Sequence, residues 1–240
     1  MKKSLAILLL FCIAQSYAQN YNVALIPDSL KENANAVIRV SEKVVNIKNG
    51  HKIIIKSKTA ITVLNEDGNY FAVYTGHYDK FRSISDISGV LFDANGTKIK
   101  SIKKKDIGDV SISDGYSLVT DARTKYFAFY YRSYPYTVEF EDEVEYDGSY
   151  SIIPWVPVHH KKTSVQSSSY TLQVDEDFKV NYRQYNYQSK PQIINEKGRI
   201  IMNWQLSNYK AIEPEIFLPE WREITPMVFF APEQFELGGY

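Results

Sequence analysis

Four carboxylates, Glu139, Glu141, Glu143 and Glu145, recur at every second position among Tyr136, Val138, Phe140, Val144 and Tyr146, with Asp142 the one break in the apolar set. A period of two places the glutamates on one face of a strand, with neighbours roughly 6.5 to 7 Å apart. That spacing is too wide for two of them to chelate one ion unaided. They suit pairing across a sheet with Lys52, Lys56 and Lys58, or a share in a Ca²⁺ site completed by loop carbonyls. Charge pairing on a solvated face is the expected outcome, because it also keeps strands from sticking to other chains. His159-His160 is the one paired histidine motif. Adjacent side chains on an extended chain point to opposite sides, so the pair does not grip a metal. A Gly-x-Ser-x-Gly elbow and phosphate-cradling glycine runs are both absent. No catalytic residue, metal or cofactor is therefore expected. The densest aromatic cluster is Tyr126, Tyr130, Tyr131, Tyr134 and Tyr136. An exposed row of these rings would stack on sugars or peptide, whereas aromatics at strand period more often build a core.

These residues have to be positioned by strands. Val44 to Lys48 runs into Asn49-Gly50, a strong hairpin signal, and His51 to Leu64 returns. On the return, Ile53, Ile55, Ile61 and Val63 share one face, and Lys52, Lys56, Lys58 and Thr62 the other. A second hairpin joins Ile84–Asp93 to Thr97–Ile102 through Ala94-Asn95-Gly96. Lys103 to Tyr116 reads as a polar connection, and Lys125 to Tyr131, aromatic on both faces, as a strand that is central or covered on both sides. Further strands are expected over Tyr136–Tyr146, Lys162–Val174 and Lys179–Tyr187. A last hairpin turns at Asn195 to Gly198, its return strand aligning Ile200, Met202, Trp204 and Leu206. Tyr70–Tyr78 and Ala231–Leu237 each have room for a helical turn or two. The pattern predicts an all-β fold, a large antiparallel β-sandwich, as a single domain over residues 19–240. A division into two lobes near Trp155 is left open by the pattern.

Composition and the first residues bound the setting. Met1-Lys2-Lys3, the apolar run Leu5–Ile13 and Ser16-Tyr17-Ala18 read as a signal peptide over residues 1–18, cleaved before Gln19. The run is shorter than the roughly 20 residues that span a bilayer, so a chain that does not span the membrane is expected, periplasmic or secreted. Cys12 is the sole cysteine and would leave with the leader, excluding a disulfide or thiol nucleophile from the mature domain. The whole chain has 28 basic and 28 acidic side chains, and loss of Lys2 and Lys3 leaves the mature chain two charges negative. No field exists to attract nucleic acid.

Ala34-Asn35-Ala36-Val37, Tyr78-Asp79-Lys80-Phe81 with Ile84, Ile87 and Gly89, Asp93 to Gly96, Asp106, Asp109, Ser117-Leu118, Asp121-x-Arg123 and Tyr134-Pro135-x-Thr137-Val138-Glu139 occur in that order, continuing through Trp155. Over residues 30 to 215 the chain resembles an uncharacterised exported β-domain family found N-terminal to transglutaminase-like domains. The resemblance implies a β-sandwich of unknown function and a possible catalytic partner domain, in cis or in trans, carrying a Cys-His-Asp triad. No residue here matches the triad cysteine. It therefore implies a non-catalytic accessory or interaction domain of a bacterial envelope protein; a glycan- or peptide-binding module is the alternative. Residues 219–240 read as a connection towards such a partner. There Leu218-Pro219-Glu220-Trp221-Arg222 leads into Met227-Val228-Phe229-Phe230, and Trp221, Phe229 and Phe230 are the expected interdomain docking residues. If this segment is a strand, Met227 and Phe229 are expected inward, Val228 and Phe230 outward.

Overall fold

The computed structural model describes residues 20–48, 50–112, 121–213, 215–217 and 219–235. The leader, Cys12, Asn49, Ser117-Leu118 and the side chain of Trp221 lie outside the described residues. The expected hairpins form. β1 (Ala36–Lys48) pairs antiparallel with β2 (Lys52–Val63), and Gly50 at their turn has a φ of 67°, a left-handed conformation that a side chain would strain. β3 (Val73–Tyr78) occupies most of the stretch read as a possible helix; only Glu66–Ala72 coils, as a 3₁₀ helix. β4 (Arg82–Phe92) and β5 (Lys98–Ser101) form the second hairpin, where Asp93 Oδ1 accepts from the Asn95 and Thr97 amides. The polar connection after it contains a short strand, β6 (Gly108–Ser111), too exposed to show an apolar rhythm. β7 (Arg123–Ala128), β8 (Tyr136–Asp147), β9 (Thr163–Asp175), β10 (Val180–Tyr185), β11 (Gln192–Glu196), β12 (Arg199–Tyr209) and β13 (Met227–Pro232) complete the strands among the described residues.

The fold is all-β and sandwich-like. One eight-stranded sheet, ordered β11-β12-β9-β1-β2-β8-β4-β5, forms a continuous layer. All its pairings are antiparallel except β1 with β9, which run parallel. The opposite layer is divided between a sheet ordered β3-β7-β6 and a ribbon of β10 and β13. Each covers its own core. Ile38, Ile61, Val63, Leu91, Tyr136, Val138 and Val165 pack beneath Tyr74, Phe127 and Phe129. Val45, Ile47, Ile53, Ile55, Tyr170, Leu172 and Trp204 pack beneath Val228, Val180 and Phe230. The two lobes therefore share one sheet, and the division lies in the covering layer alone.

What separates the cores is written into the strands. The inward face of β1 reads Ile38, then Ser41 and Lys43, then Val45; β2 reads Ile55, Ser57, Thr59, Ile61; β8 reads Val138, Phe140, Asp142, Val144; β9 places Ser168 between Val165 and Tyr170. The register aligns Lys43 with Ser57 and Ser57 with Asp142, and aligns Ser41 with both Ser168 and Thr59. A polar band thus crosses the middle of an otherwise apolar face. A charged or hydroxylated side chain there costs free energy unless it finds partners or water, so neither covering sheet extends over it.

Candidate functional site: a polar cleft between two lobes

The segment 152–160 bridges the band. Ile152 and Trp155 belong to the second core and Val158 to the first, so the chain crosses from one lobe to the other. Trp155 pairs with Val228 through two 2.9 Å backbone hydrogen bonds, its indole Nε1 donates to Ser168 Oγ at 3.0 Å, and the Tyr170 hydroxyl donates to the Ile153 carbonyl at 2.7 Å. His159 and His160 end the crossing. The ring of His160 packs against Tyr70 and Phe71, with centroids 4.9 and 5.5 Å away. The paired histidines lie in the connection ahead of β9.

Beside this crossing lies a cleft of about 240 Å³, floored by Ser57, Thr59 and Asp142 and walled by Tyr70, Phe71 and Tyr74. The Tyr74 hydroxyl donates to Asp142 Oδ2 at 2.8 Å; Asp142 Oδ1 is buried without a partner. Burial, then repulsion from the Asp142 charge, then this hydrogen bond raise the Tyr74 pKa, so it stays a donor at all ordinary pH. Lys43 lies one strand beyond Ser57. Burial lowers its pKa, while attraction to Asp142 acts the other way. The His159 ring keeps an exposed surface, and partial desolvation by its surroundings, then the Lys43 charge and His160, push its pKa down to about 4. It is neutral at pH 7.

The outer face of the large sheet holds the glutamate row. Lys52 pairs with Glu145 at 2.6 Å, Lys56 with Glu143 at 3.0 Å, and Lys58 with both Glu141 at 2.7 Å and Glu139 at 3.0 Å. Burial opposes the Lys58 charge, but the two carboxylates outweigh it and its pKa ends raised. The expected cross-strand pairing is what forms. Towards Glu139 the face is covered, because Tyr21 packs on Val40 and Ala60 and its hydroxyl donates to Glu139.

The tyrosine cluster does not form a row. Tyr136 is fully buried and Tyr131 and Tyr134 lean on the first core, whereas Tyr126 and Tyr130 are exposed. β7 is central in its sheet, yet it is covered on one side only, with Phe127 inward and Tyr126 outward. On β13 the expected phase is reversed for three of the four residues. Val228 is fully buried, Phe230 stacks on Tyr170 at 4.9 Å and meets Trp204 at 5.2 Å, and Phe229 is exposed beside Tyr185. Met227 is buried as expected. The backbone pairing of Val228 with Trp155 fixes this phase, a contact between residues over 70 positions apart.

Residues 51–213 match the model of a domain of unknown function with solved structures, DUF3857. The chain belongs to this family. No curated protein gives a significant match. A crystal structure described as a "putative protease" from Parabacteroides distasonis resembles this DUF3857 domain with a TM-score of 0.71 at 15% identity, covering 82% of this chain and 40% of that one. An M1 zinc metallopeptidase variant from Deinococcus radiodurans aligns with a TM-score of 0.36 at 5% identity, over 82% of this chain and 42% of that one, which carries no argument. The chain thus spans about two fifths of the length of the protein whose fold it shares.

Motif residues of this DUF3857 domain that are far apart in sequence meet in space. The Tyr78 hydroxyl donates to Asp109 at 2.7 Å and accepts from Arg123 Nε at 2.9 Å, Arg123 also reaches Ser111 Oγ, and Asp121 accepts from the Lys80 amide. These groups satisfy one another and pin β3, β6 and β7 together. Sequence reading missed Tyr74 in the cleft and Lys43 one strand beyond its floor. The signal was present in the interrupted rhythm at Asp142, and equally at Ser57 and Thr59, but only the register shows that these breaks coincide.

Proposed function

We propose that this domain is a non-catalytic interaction domain of an exported envelope protein, working beside a peptidase- or transglutaminase-like catalytic domain. The observation that carries the reading is the run of exposed large apolar side chains in its last described stretch: Ile216 at 87%, Phe217 at 97%, Phe229 at 45% and Phe235 at 62%. Scattered exposed residues are ordinary, but this concentration within 20 positions suits a surface that a partner covers. Tyr185, edge-on to Phe229 and beneath the Arg183 guanidinium, extends it with an aromatic–arginine pair of the kind enriched at interfaces. A catalytic occupant is supported by the protein described as a protease, in which a fold of this kind accounts for two fifths of the chain.

A photo-crosslinking phenylalanine analogue at position 229, expressed in the native envelope, tests the reading. The expected product is a crosslink to a domain of the peptidase or transglutaminase class, with the chain alone inactive in amide cleavage and transamidation. Crosslinks only to another copy of this chain, to a glycan or to nothing would overturn it.

A further inference from the structure

The large sheet ends in two edge strands, and the two ends differ in chemistry. β5 carries Lys98 and Lys100 on either side of an exposed Ile99, with Lys103, Lys104 and Lys105 following in the chain. Like charges at that density keep a second β5 away, a common protection of an open edge. β11 has no such guard. All five of its residues are exposed, Ile193 and Ile194 stand next to each other near its centre, and its single neighbour is β12.

The turn that follows β11 decides which backbone groups the edge offers. Glu196 pairs with Arg199 across the two-residue loop Lys197-Gly198, in which both residues have positive φ. The closing pair of such a hairpin exchanges both of its hydrogen bonds, and bonded pairs alternate along an antiparallel ladder, so Ile194 and Gln192 also bond to β12. Ile193 and Asn195 therefore turn their N–H and C=O groups to the open edge. Pro191 has no N–H and ends the row of donors. Ile193 lies opposite the buried Met202, so it carries the apolar inner face of the sheet out to this edge.

The occupant has to match these groups and the charges beside them. Lys190 stands two residues ahead of the strand and Glu196 ends it, both exposed. Glu196 meets the neighbouring Lys197 at 3.2 Å, a solvated pair of small worth. For a second copy lying antiparallel on the edge, the outward groups meet only in registers that set odd-numbered residues against odd-numbered ones. Among these, the register that sets Ile193 against Ile193 also sets Lys190 against Glu196 in both directions and opposes no like charges. A slip of two residues either way loses both ion pairs. The edge is thus complementary to itself in hydrogen bonding, in apolar side chains and in charge.

We propose that β11 pairs with β11 of a second copy of this chain, antiparallel about a two-fold axis at Ile193, so that the large sheets of two domains run on as one. The two Ile193 residues exchange both hydrogen bonds, and the Asn195 N–H of each copy donates to the Pro191 carbonyl of the other. The contact is the same patch on both copies, so it closes at a dimer. A strand this short covers less than the roughly 1,200 Å² of a stable interface, so the dimer is weak and dissociates on dilution. It is separate from the docking face around Phe229, which belongs to the β10–β13 ribbon.

The test is sedimentation equilibrium of the whole chain between about 10 μM and 1 mM, where weak interfaces dissociate. It is run on the parent and on Phe229→Ser, which removes contacts through the other face. A reversible monomer–dimer equilibrium is expected in both. Ile193→Lys, which sets two lysines together at the axis, should raise the dissociation constant at least about tenfold. Lys190→Glu and Glu196→Lys should each raise it about fivefold, because two exposed pairs become repulsive. The double reversal, or an equimolar mixture of the two single variants, should bring it back to within about twofold of the parent. The Ile193 and Asn195 amides should exchange with solvent more slowly in the dimer than in the monomer. A chain that stays monomeric throughout that range, a dimer lost with Phe229→Ser, or charge reversals that neither weaken the dimer nor rescue one another would each overturn the proposal. An edge built for a strand of a different protein would leave the isolated chain monomeric and so refute the second copy as its occupant. If Ile193→Lys fails to fold, the charge-reversal series, confined to exposed side chains, decides by the same criteria.

Discussion

Two side chains at the residue scale make the burial of charge measurable. Arg39 is 6% exposed, and its guanidinium donates to Gln166 Oε1, the Tyr21, Asn22 and Asn20 carbonyls and Thr62 Oγ1. Burial lowers its pKa, but the many acceptors keep it charged and tie the segment ahead of β1 to the sheet. Arg39→Ala should cost about 3 kcal/mol in urea unfolding, because it strands several carbonyls at once; a loss under about 1 kcal/mol would contradict that role. His159 gives a pH signature. Its folded pKa of about 4 lies below the 6.5 of a free histidine, so the unfolded chain takes up the proton first. The resulting penalty is absent above about pH 6.5, grows as pH falls, and is complete near pH 4. His159→Asn should therefore lose less stability than the parent between pH 7.5 and 4.5, by an amount reduced because the ring reaches water. Identical pH slopes for the two would refute the assignment.

At the scale of elements, β13 separates two roles that lie one residue apart. Phe230 is clamped between Tyr170 and Trp204, while Phe229 stands outside. Phe230→Ser should destabilise the fold by about 2 to 3 kcal/mol, less than a fully buried phenylalanine because its ring is only partly covered. Phe229→Ser should change stability by under about 0.5 kcal/mol and lower self-association. Chemical denaturation and light scattering on both variants check this pair; the reverse ranking would mean that the phase of β13 is wrong. The charge ladder on β2 and β8 predicts a smaller effect. Its pairs are partly solvated, so Glu141→Ala should cost less than about 1 kcal/mol, since Lys58 retains Glu139.

For the whole molecule, the shared sheet dictates how the domain opens. β1, β2 and β9 hold both cores together, while each covering layer serves one lobe only. Native-state hydrogen exchange should find the slowest amides in β1, β2 and β9, with the β10–β13 ribbon opening at lower free energy. Uniform protection across both layers would contradict this. The parallel pairing of Ala36 with Thr163 closes a loop of over 120 residues, so refolding is expected on the millisecond-to-second scale of non-local β folds.

Sequence alone determined the strands marked by alternation or by a turn to end them: β1 with β2, β4 with β5, β11 with β12, and the glutamate face of β8. Each of these is a local fact, since side-chain period and turn chemistry are fixed within a dozen residues. β3 and β6 escaped because their strand character comes from pairing with β7: β6 is exposed along nearly its whole length, and along β3 an apolar Val73 on the exposed side and Gly76 on the buried side hide the alternation. The phase of β13 escaped for the same reason, being set by Trp155. The cleft was half legible: Asp142 stood out as a break, but a break in one strand says nothing until the register puts Lys43 and Ser57 beside it. Register is a property of strands that meet from distant parts of the chain, and so only the tertiary structure decided that three isolated polar residues form one row.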